Sequence, residues 1–94
     1  MESFAEQKVK DGKLVGVKLK YDGKITGIKI IGDFFIYPEE ALYKIENAIV
    51  GMSAISKKSE IAERISKVVA EEKAELIGVT PEAIADVICT AVSA

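Results

Sequence analysis

Polar and apolar residues alternate over the first third of the chain, which is the period of a half-buried β-strand. A ten-residue segment, Lys10–Leu19, recurs as Tyr21–Ile30. The second and third residues of each copy are Asp-Gly, the dipeptide that best fits a tight turn between two antiparallel strands. The pattern therefore predicts a three-stranded antiparallel meander with strands at roughly residues 3–10, 13–21 and 24–32.

The second hairpin has a predicted register. A two-residue loop at Asp22-Gly23 would pair Tyr21 with Lys24. One face of the hairpin is then apolar and should meet the helices. It carries Val15, Val17 and Leu19 opposite Ile30, Ile28 and Thr26.

The first hairpin leaves two registers open. A strict two-residue loop at Asp11-Gly12 would place Glu6 and Lys8 on the core side, where charges are costly. A β-bulge at the same turn would place other residues there. We favour the bulge, which brings inward Ala5, Gln7 and Val9.

Apolar spacing changes to the helical period after Pro38, which suits the first position of a helix. Gly51 is predicted to lie just past the end of this helix. The expected buried stripe consists of Leu42, Ile45, Ala48 and Ile49, with Ala41 at its edge.

Two further helices are predicted. One is capped by Ser56 or Ser59 and runs to about Lys73, burying Ile61, Ile65, Val68 and Val69. After a short extended stretch, Thr80-Pro81 supplies a cap and a first-turn proline for the last helix. That helix should bury Ile84, Val87, Ile88 and Ala91.

The predicted fold is a single α+β domain over residues 1–94. Its two layers are the meander and three helices packed on one face.

Composition excludes several classes of chemistry. The chain has no histidine, so histidine-based catalysis and histidine-ligated metals are excluded. Its single cysteine cannot form an internal disulfide and fits a reducing cytoplasm, the expected location. No apolar run of about 18 residues occurs, so no membrane span is expected. No catalytic, cofactor-binding or metal-binding residues are predicted.

Charge is divided between the two halves. Residues 1–31 carry a net +3 and residues 32–94 a net −5, giving −2 for the chain. With a pI near 5.2 and no aromatic residue interleaved with Lys18, Lys20 and Lys29 on their sheet face, nucleic-acid binding is not expected. Cys89, within a helix and without a flanking cation, is expected to be a small buried residue.

The corner between the two halves reads Gly-Asp-Phe-Phe. Continued alternation sends Phe34 towards the helices and Phe35 to the opposite face. An isolated apolar patch on a small domain often marks a partner site. The predicted partner interface comprises Leu14, Ile31, Gly32, Asp33 and Phe35.

Taken in order, these motifs resemble the C-terminal accessory domain of lipoate–protein ligases. The resemblance covers about residues 8–90, and its most specific part is Gly32–Glu40. The family attaches lipoate to a lysine of lipoyl domains, as in 2-oxoacid dehydrogenase-type complexes, through a lipoyl-adenylate made from ATP. The resemblance implies that ATP, magnesium and lipoate are bound mainly by the catalytic domain, and that the accessory domain supports adenylation.

In many members of that family this unit is fused behind a catalytic domain, whereas here it begins at Met1. The resemblance therefore implies the small, non-catalytic subunit of a two-chain ligase, forming a heterodimer with a separate catalytic subunit. Two alternatives stay open. The fold also resembles iron–sulfur scaffold and sulfur-carrier proteins, although these need several cysteines or one exposed on a loop. A plain protein adaptor is the other.

Overall fold

The computed structural model describes residues 1–9 and 13–93. The elements follow one another as predicted, strands first and helices after, with two additional short strands. The strands are β1 (Glu2–Lys8), β2 (Leu14–Asp22), β3 (Lys24–Gly32), β4 (Phe35–Tyr37) and β5 (Glu75–Ile77). The helices are α1 (Glu40–Ile49), α2 (Lys58–Glu71) and α3 (Pro81–Ser93).

One face of the β1-β2-β3 sheet is covered by helices and the other is open. Helices α1 and α3 pack directly on the strands, and α2 packs against α1 and α3. The predicted α+β architecture is confirmed. The side chains that fill the interface between the layers are almost inaccessible to water: Leu19, Ile25, Ile30, Ile45, Ile49, Ile65, Ile84 and Ile88.

The second hairpin is displaced from its predicted register. Val17 pairs with Ile30 instead of Ile28, and Tyr21 pairs with Ile25 instead of Lys24. The displacement is two residues over most of the ladder, so the side chains keep their predicted faces there.

A bulge next to the turn explains this displacement. The register shifts between Lys20 and Tyr21, which leaves Thr26 as the extra residue of β3. Ile25 is thereby turned into the core, where it is 1% exposed, and Thr26 points to solvent. The prediction that Thr26 lies on the core side is wrong. Burying an isoleucine in place of a threonine favours the bulged register because more apolar surface leaves water.

In the first hairpin, Ala5 pairs with Val17 and Gln7 with Val15. This is the face assignment that we favoured. The proposed bulge at Asp11-Gly12 lies outside the described residues.

Helix α1 begins at Glu40, two residues later than predicted, because Pro38 belongs to the preceding turn. Its carbonyl accepts a hydrogen bond from the N–H of Ala41 at 3.0 Å. The centre of the buried stripe is Ala41, Ile45 and Ile49, whereas Leu42 and Ala48 are only partly buried. Gly51 follows the helix with φ of +97°, as a glycine at that position should.

The N-terminal cap predicted for α2 is wrong, and the one predicted for α3 is confirmed. Neither Ser56 nor Ser59 caps α2; the N–H of Lys57 instead donates to the Glu60 carboxylate at 2.9 Å. The Ser56 hydroxyl instead donates a hydrogen bond to the carbonyl of Ser53. At α3 the prediction is confirmed, because Thr80 Oγ1 accepts the N–H of Ala83 at 3.1 Å. The four residues predicted to be buried in α3 are all buried.

Strands β4 and β5 form a second, two-stranded antiparallel sheet that the sequence analysis did not predict. Phe35 pairs with Ile77, Ile36 with Leu76, and Tyr37 with Glu75. We call this pair of strands the ribbon. It connects the strand-to-helix corner to the segment between α2 and α3.

Candidate functional site

The corner after β3 is fixed by a close backbone approach. The N–H of Asp33 donates to the carbonyl of Leu14 at 3.0 Å. A Cβ atom on Gly32 would lie only 2.2 Å from the same carbonyl oxygen and 2.8 Å from the Phe34 ring. The position therefore admits only glycine without a shift of the backbone. This contact is where the chain leaves the first sheet to enter the ribbon.

The two phenylalanines of the corner diverge, but the predicted place of Phe35 on the opposite face of the first sheet is wrong, because β3 ends at Gly32 and Phe35 belongs to the ribbon. Phe34 is partly buried and packs against the core, while Phe35 is 57% exposed. Phe35 lies on β4, where its ring stacks on that of Tyr37 with centroids 6.3 Å apart.

The predicted interface residues are divided among three environments. Backbone contacts bring together Leu14, Gly32 and Asp33. Ile31, 40% exposed, lies on the open face of the first sheet, and Phe35 lies on the ribbon. Their joint role as an interface stays a prediction.

An exposed aromatic residue that the sequence analysis missed lies next to Ile31. A Cβ atom on Gly16 would meet Ile31 Cγ1 at 3.1 Å and the Phe4 ring at 3.4 Å. The missing side chain of Gly16 thus leaves room for both residues to lie over the strand. Phe4 is 48% exposed. The register favoured for the first hairpin already implies this face for Phe4, but the sequence analysis did not single the residue out.

The middle of the open sheet face is basic. Lys18 and Lys29 are directly opposite each other on adjacent strands, an arrangement of like charges that costs stability. Within the described residues neither of them forms an ion pair, whereas Lys20 approaches Glu2 at 3.4 Å. These lysines and Phe4 line a shallow depression on this face.

The ribbon presents a second exposed surface. Directly opposed residues of an antiparallel pair lie on the same face. Phe35, Tyr37, Glu75 and Ile77 accordingly share one face, and all four are exposed. The other face carries Ile36, which is 6% exposed, and Leu76, which packs against the core. The sequence could not reveal this surface because its strands lie far apart along the chain.

The one buried charged side chain among the described residues is structural. Glu46, on α1, is 8% exposed, and its Oε2 accepts the N–H of Ile30 at 2.8 Å. Its carboxylate is therefore engaged with the edge of the sheet.

Cys89 is partly buried within α3. Burial raises the pKa of its thiol, the nearby Asp86 carboxylate raises that pKa further, and Lys58 opposes the shift. A raised pKa keeps the sulfur as the less reactive thiol. This agrees with a packing role and counts against the sulfur-carrier alternative.

Over residues 1–9 and 13–93, no cluster of three or more His, Cys, Asp or Glu side chains is placed to hold a metal ion. In the same part of the chain, none of the helices combines the length and the apolar character needed to cross a membrane.

Comparison with known proteins gives one informative result. No protein-family model and no curated protein sequence matches the chain. A solved structure does match, with a TM-score of 0.76 and 29% sequence identity over 94% of each chain. The matching chain comes from a structural study of an archaeal lipoylation system, which comprises a bi-partite lipoate protein ligase and its E2 lipoyl domain from Thermoplasma acidophilum. The chain is therefore similar, in fold and in sequence, to a component of a lipoylation system.

Proposed function

We propose that this chain is the non-catalytic accessory subunit of a two-chain lipoate–protein ligase. It binds the separate catalytic subunit and enables ATP-dependent activation of lipoate to lipoyl-adenylate. The lipoyl group is then transferred to a lysine of a lipoyl domain. The observation that carries this proposal is the 29% identity over 94% of both chains to a component of a bi-partite ligase system.

The location of potentially reactive groups supports an accessory role. The buried carboxylate, Glu46, is engaged by the backbone of β3, and the raised pKa of Cys89 keeps its sulfur protonated. As the resemblance to the ligase accessory domain implies, we assign ATP, magnesium and lipoate mainly to the catalytic subunit. The contribution of this chain is contact with that subunit, and the corner with its exposed Phe35 is the proposed region of contact.

The test reconstitutes the ligase from purified parts. The catalytic lipoate–protein ligase polypeptide of the same organism is assayed with and without this chain for lipoate-dependent release of pyrophosphate from ATP. A lipoyl domain is then added, and the masses of both the lipoyl domain and this chain are measured. We expect pyrophosphate release only when both polypeptides are present, and lipoylation of the added domain alone.

Three results would contradict the proposal. One is robust pyrophosphate release by this chain alone, and another is full activity of the catalytic polypeptide without it. The third is a lipoyl group on a lysine of this chain, which would make it the acceptor in the system. Iron and sulfide content after cluster reconstitution serves as the control for the iron–sulfur alternative, and no stoichiometric binding is expected.

A further inference from the structure

The exposed face of the ribbon carries more apolar surface than the fold requires. We call its four residues, Phe35, Tyr37, Glu75 and Ile77, the ribbon face. The three apolar members are 57%, 51% and 44% exposed, in chain order. The side chains that attach the ribbon to the domain, Ile36 and Leu76, are on its other face. The ribbon could therefore pack on the core with polar residues at all four exposed positions.

The two aromatic rings of the ribbon face are arranged as one platform. They lie two residues apart on β4, with their centroids 6.3 Å apart and an angle of 12° between their planes. Ile77 is directly opposite Phe35 and extends the apolar surface across to β5. Exposed aromatic side chains lose little conformational entropy on binding and are enriched among the residues that dominate interface energies.

Charge around the ribbon face specifies the chemistry of the partner. Residues 33–40 and 74–79 contain Asp33, Glu39, Glu40 and Glu75 and no lysine or arginine. Two lysines flank these segments: Lys73 precedes the second one in the chain, and the stem of Lys13 lies against Gly78 beyond the end of β5. Aromatic faces attract cations, and carboxylates nearby strengthen that preference.

We infer that the ribbon face is the docking surface for the catalytic subunit, and that it receives an apolar side chain flanked by lysine or arginine. This inference rests on the proposed function and names the surface on which that function depends. It shares only Phe35 with the interface predicted from the sequence. A basic partner distinguishes the ribbon face from the open sheet face, whose lysines would instead require an acidic one.

The experiment measures binding of the full chain to the purified catalytic polypeptide by calorimetry. We expect Phe35→Ala and Tyr37→Ala each to raise Kd at least tenfold. Glu75→Lys should also raise Kd, and its effect should shrink as salt is added because the lost attraction is electrostatic. Thermal melts of each variant establish that the fold is retained, and Glu75→Lys provides a test in which no apolar packing is removed.

Two matched controls remove exposed apolar side chains elsewhere. Ile55→Ala changes a residue of the α1–α2 connector that is 88% exposed, and Ile31→Ala changes the open sheet face. Ile55→Ala should alter Kd less than twofold. Ile31 belongs to the interface predicted from the sequence, so Ile31→Ala discriminates between the two surfaces, and it too should alter Kd less than twofold if the ribbon face is the docking surface. If Ile31→Ala weakens binding more than Tyr37→Ala does, the open sheet face is the docking surface and the inference is wrong.

The remaining outcomes separate this inference from the proposed function. No binding by the unmodified chain would overturn both. Normal binding by folded Phe35→Ala, Tyr37→Ala and Glu75→Lys would overturn the inference and leave the proposed function standing. The ribbon face could instead bind a second copy of this chain, and sedimentation measurements of the oligomeric state test this alternative. Self-association that Tyr37→Ala abolishes while ligase binding is unchanged would also overturn the inference.

Discussion

Replacement of Glu46 tests how the helical layer is attached to the edge of the sheet. Strand β3 is the outer strand next to α1, and the N–H of Ile30 is bonded to the Glu46 carboxylate at 2.8 Å. Both groups are buried. In Glu46→Ala this N–H would lose its acceptor and would remain shielded from water.

The size of the effect follows from two contributions. A buried, unsatisfied N–H costs about 1–3 kcal/mol. Loss of the packed Cγ methylene of Glu46 adds about 1 kcal/mol. We therefore expect Glu46→Ala to lower the free energy of unfolding by about 2–4 kcal/mol. Glu46→Gln keeps an acceptor oxygen and loses only the charge assistance, so it should cost about 1 kcal/mol or less.

The assay combines urea unfolding with hydrogen exchange of single amides by NMR. A change of 1 kcal/mol shifts the Tm of a domain of this size by roughly 4–8 °C, so Glu46→Ala should melt at least about 8 °C lower. Exchange of the Ile30 amide should accelerate beyond that of its neighbours in Glu46→Ala, and much less in Glu46→Gln. Asn47→Ala, at the exposed neighbouring position of α1, is the control. If Glu46→Ala unfolds within about 0.5 kcal/mol of the unmodified chain, with Ile30 exchange unchanged, the hydrogen bond does not support the fold as argued.

Three further substitutions have expected outcomes. Gly32→Ala should destabilise the domain by about 2–3 kcal/mol in urea unfolding, because its methyl group would overlap the Leu14 carbonyl; an unchanged midpoint would contradict the close approach. Phe34→Ala should cost about 2–3 kcal/mol, less than for a fully buried phenylalanine because Phe34 is only partly buried, and a cost below about 1 kcal/mol would show that it is not packed. Cys89 should react with iodoacetamide more slowly than a free cysteine, because its raised pKa reduces the thiolate fraction. Asp86→Asn should lower that pKa and accelerate the reaction, and a slower reaction would show that the sign is wrong.

Local signals in the sequence determined most of the secondary structure. Alternation and the two Asp-Gly turns predicted β1, β2 and β3, because a period of two specifies a sheet face wherever one side is buried. The Thr80-Pro81 signal located the start of α3, and the helical spacing of apolar residues selected its buried side. Alternation also predicted that Phe34 and Phe35 diverge, but it was extended past Gly32, where β3 ends, and so it placed Phe35 on the wrong sheet.

Tertiary structure decided the features that depend on competition between distant groups. The bulge at Thr26 follows from burying Ile25 against the helices, which no turn rule includes. The ribbon forms because packing brings together strands separated by two helices, and each three-residue strand is too short to be recognised by periodicity. Glu46 can be buried because its carboxylate accepts the N–H of Ile30. The sequence alone indicates only a charged residue in a helix and does not reveal this partner. The sequence thus determined which residues avoid water, whereas three-dimensional packing determined which residues they meet and which apolar residues, such as Tyr37, are left exposed.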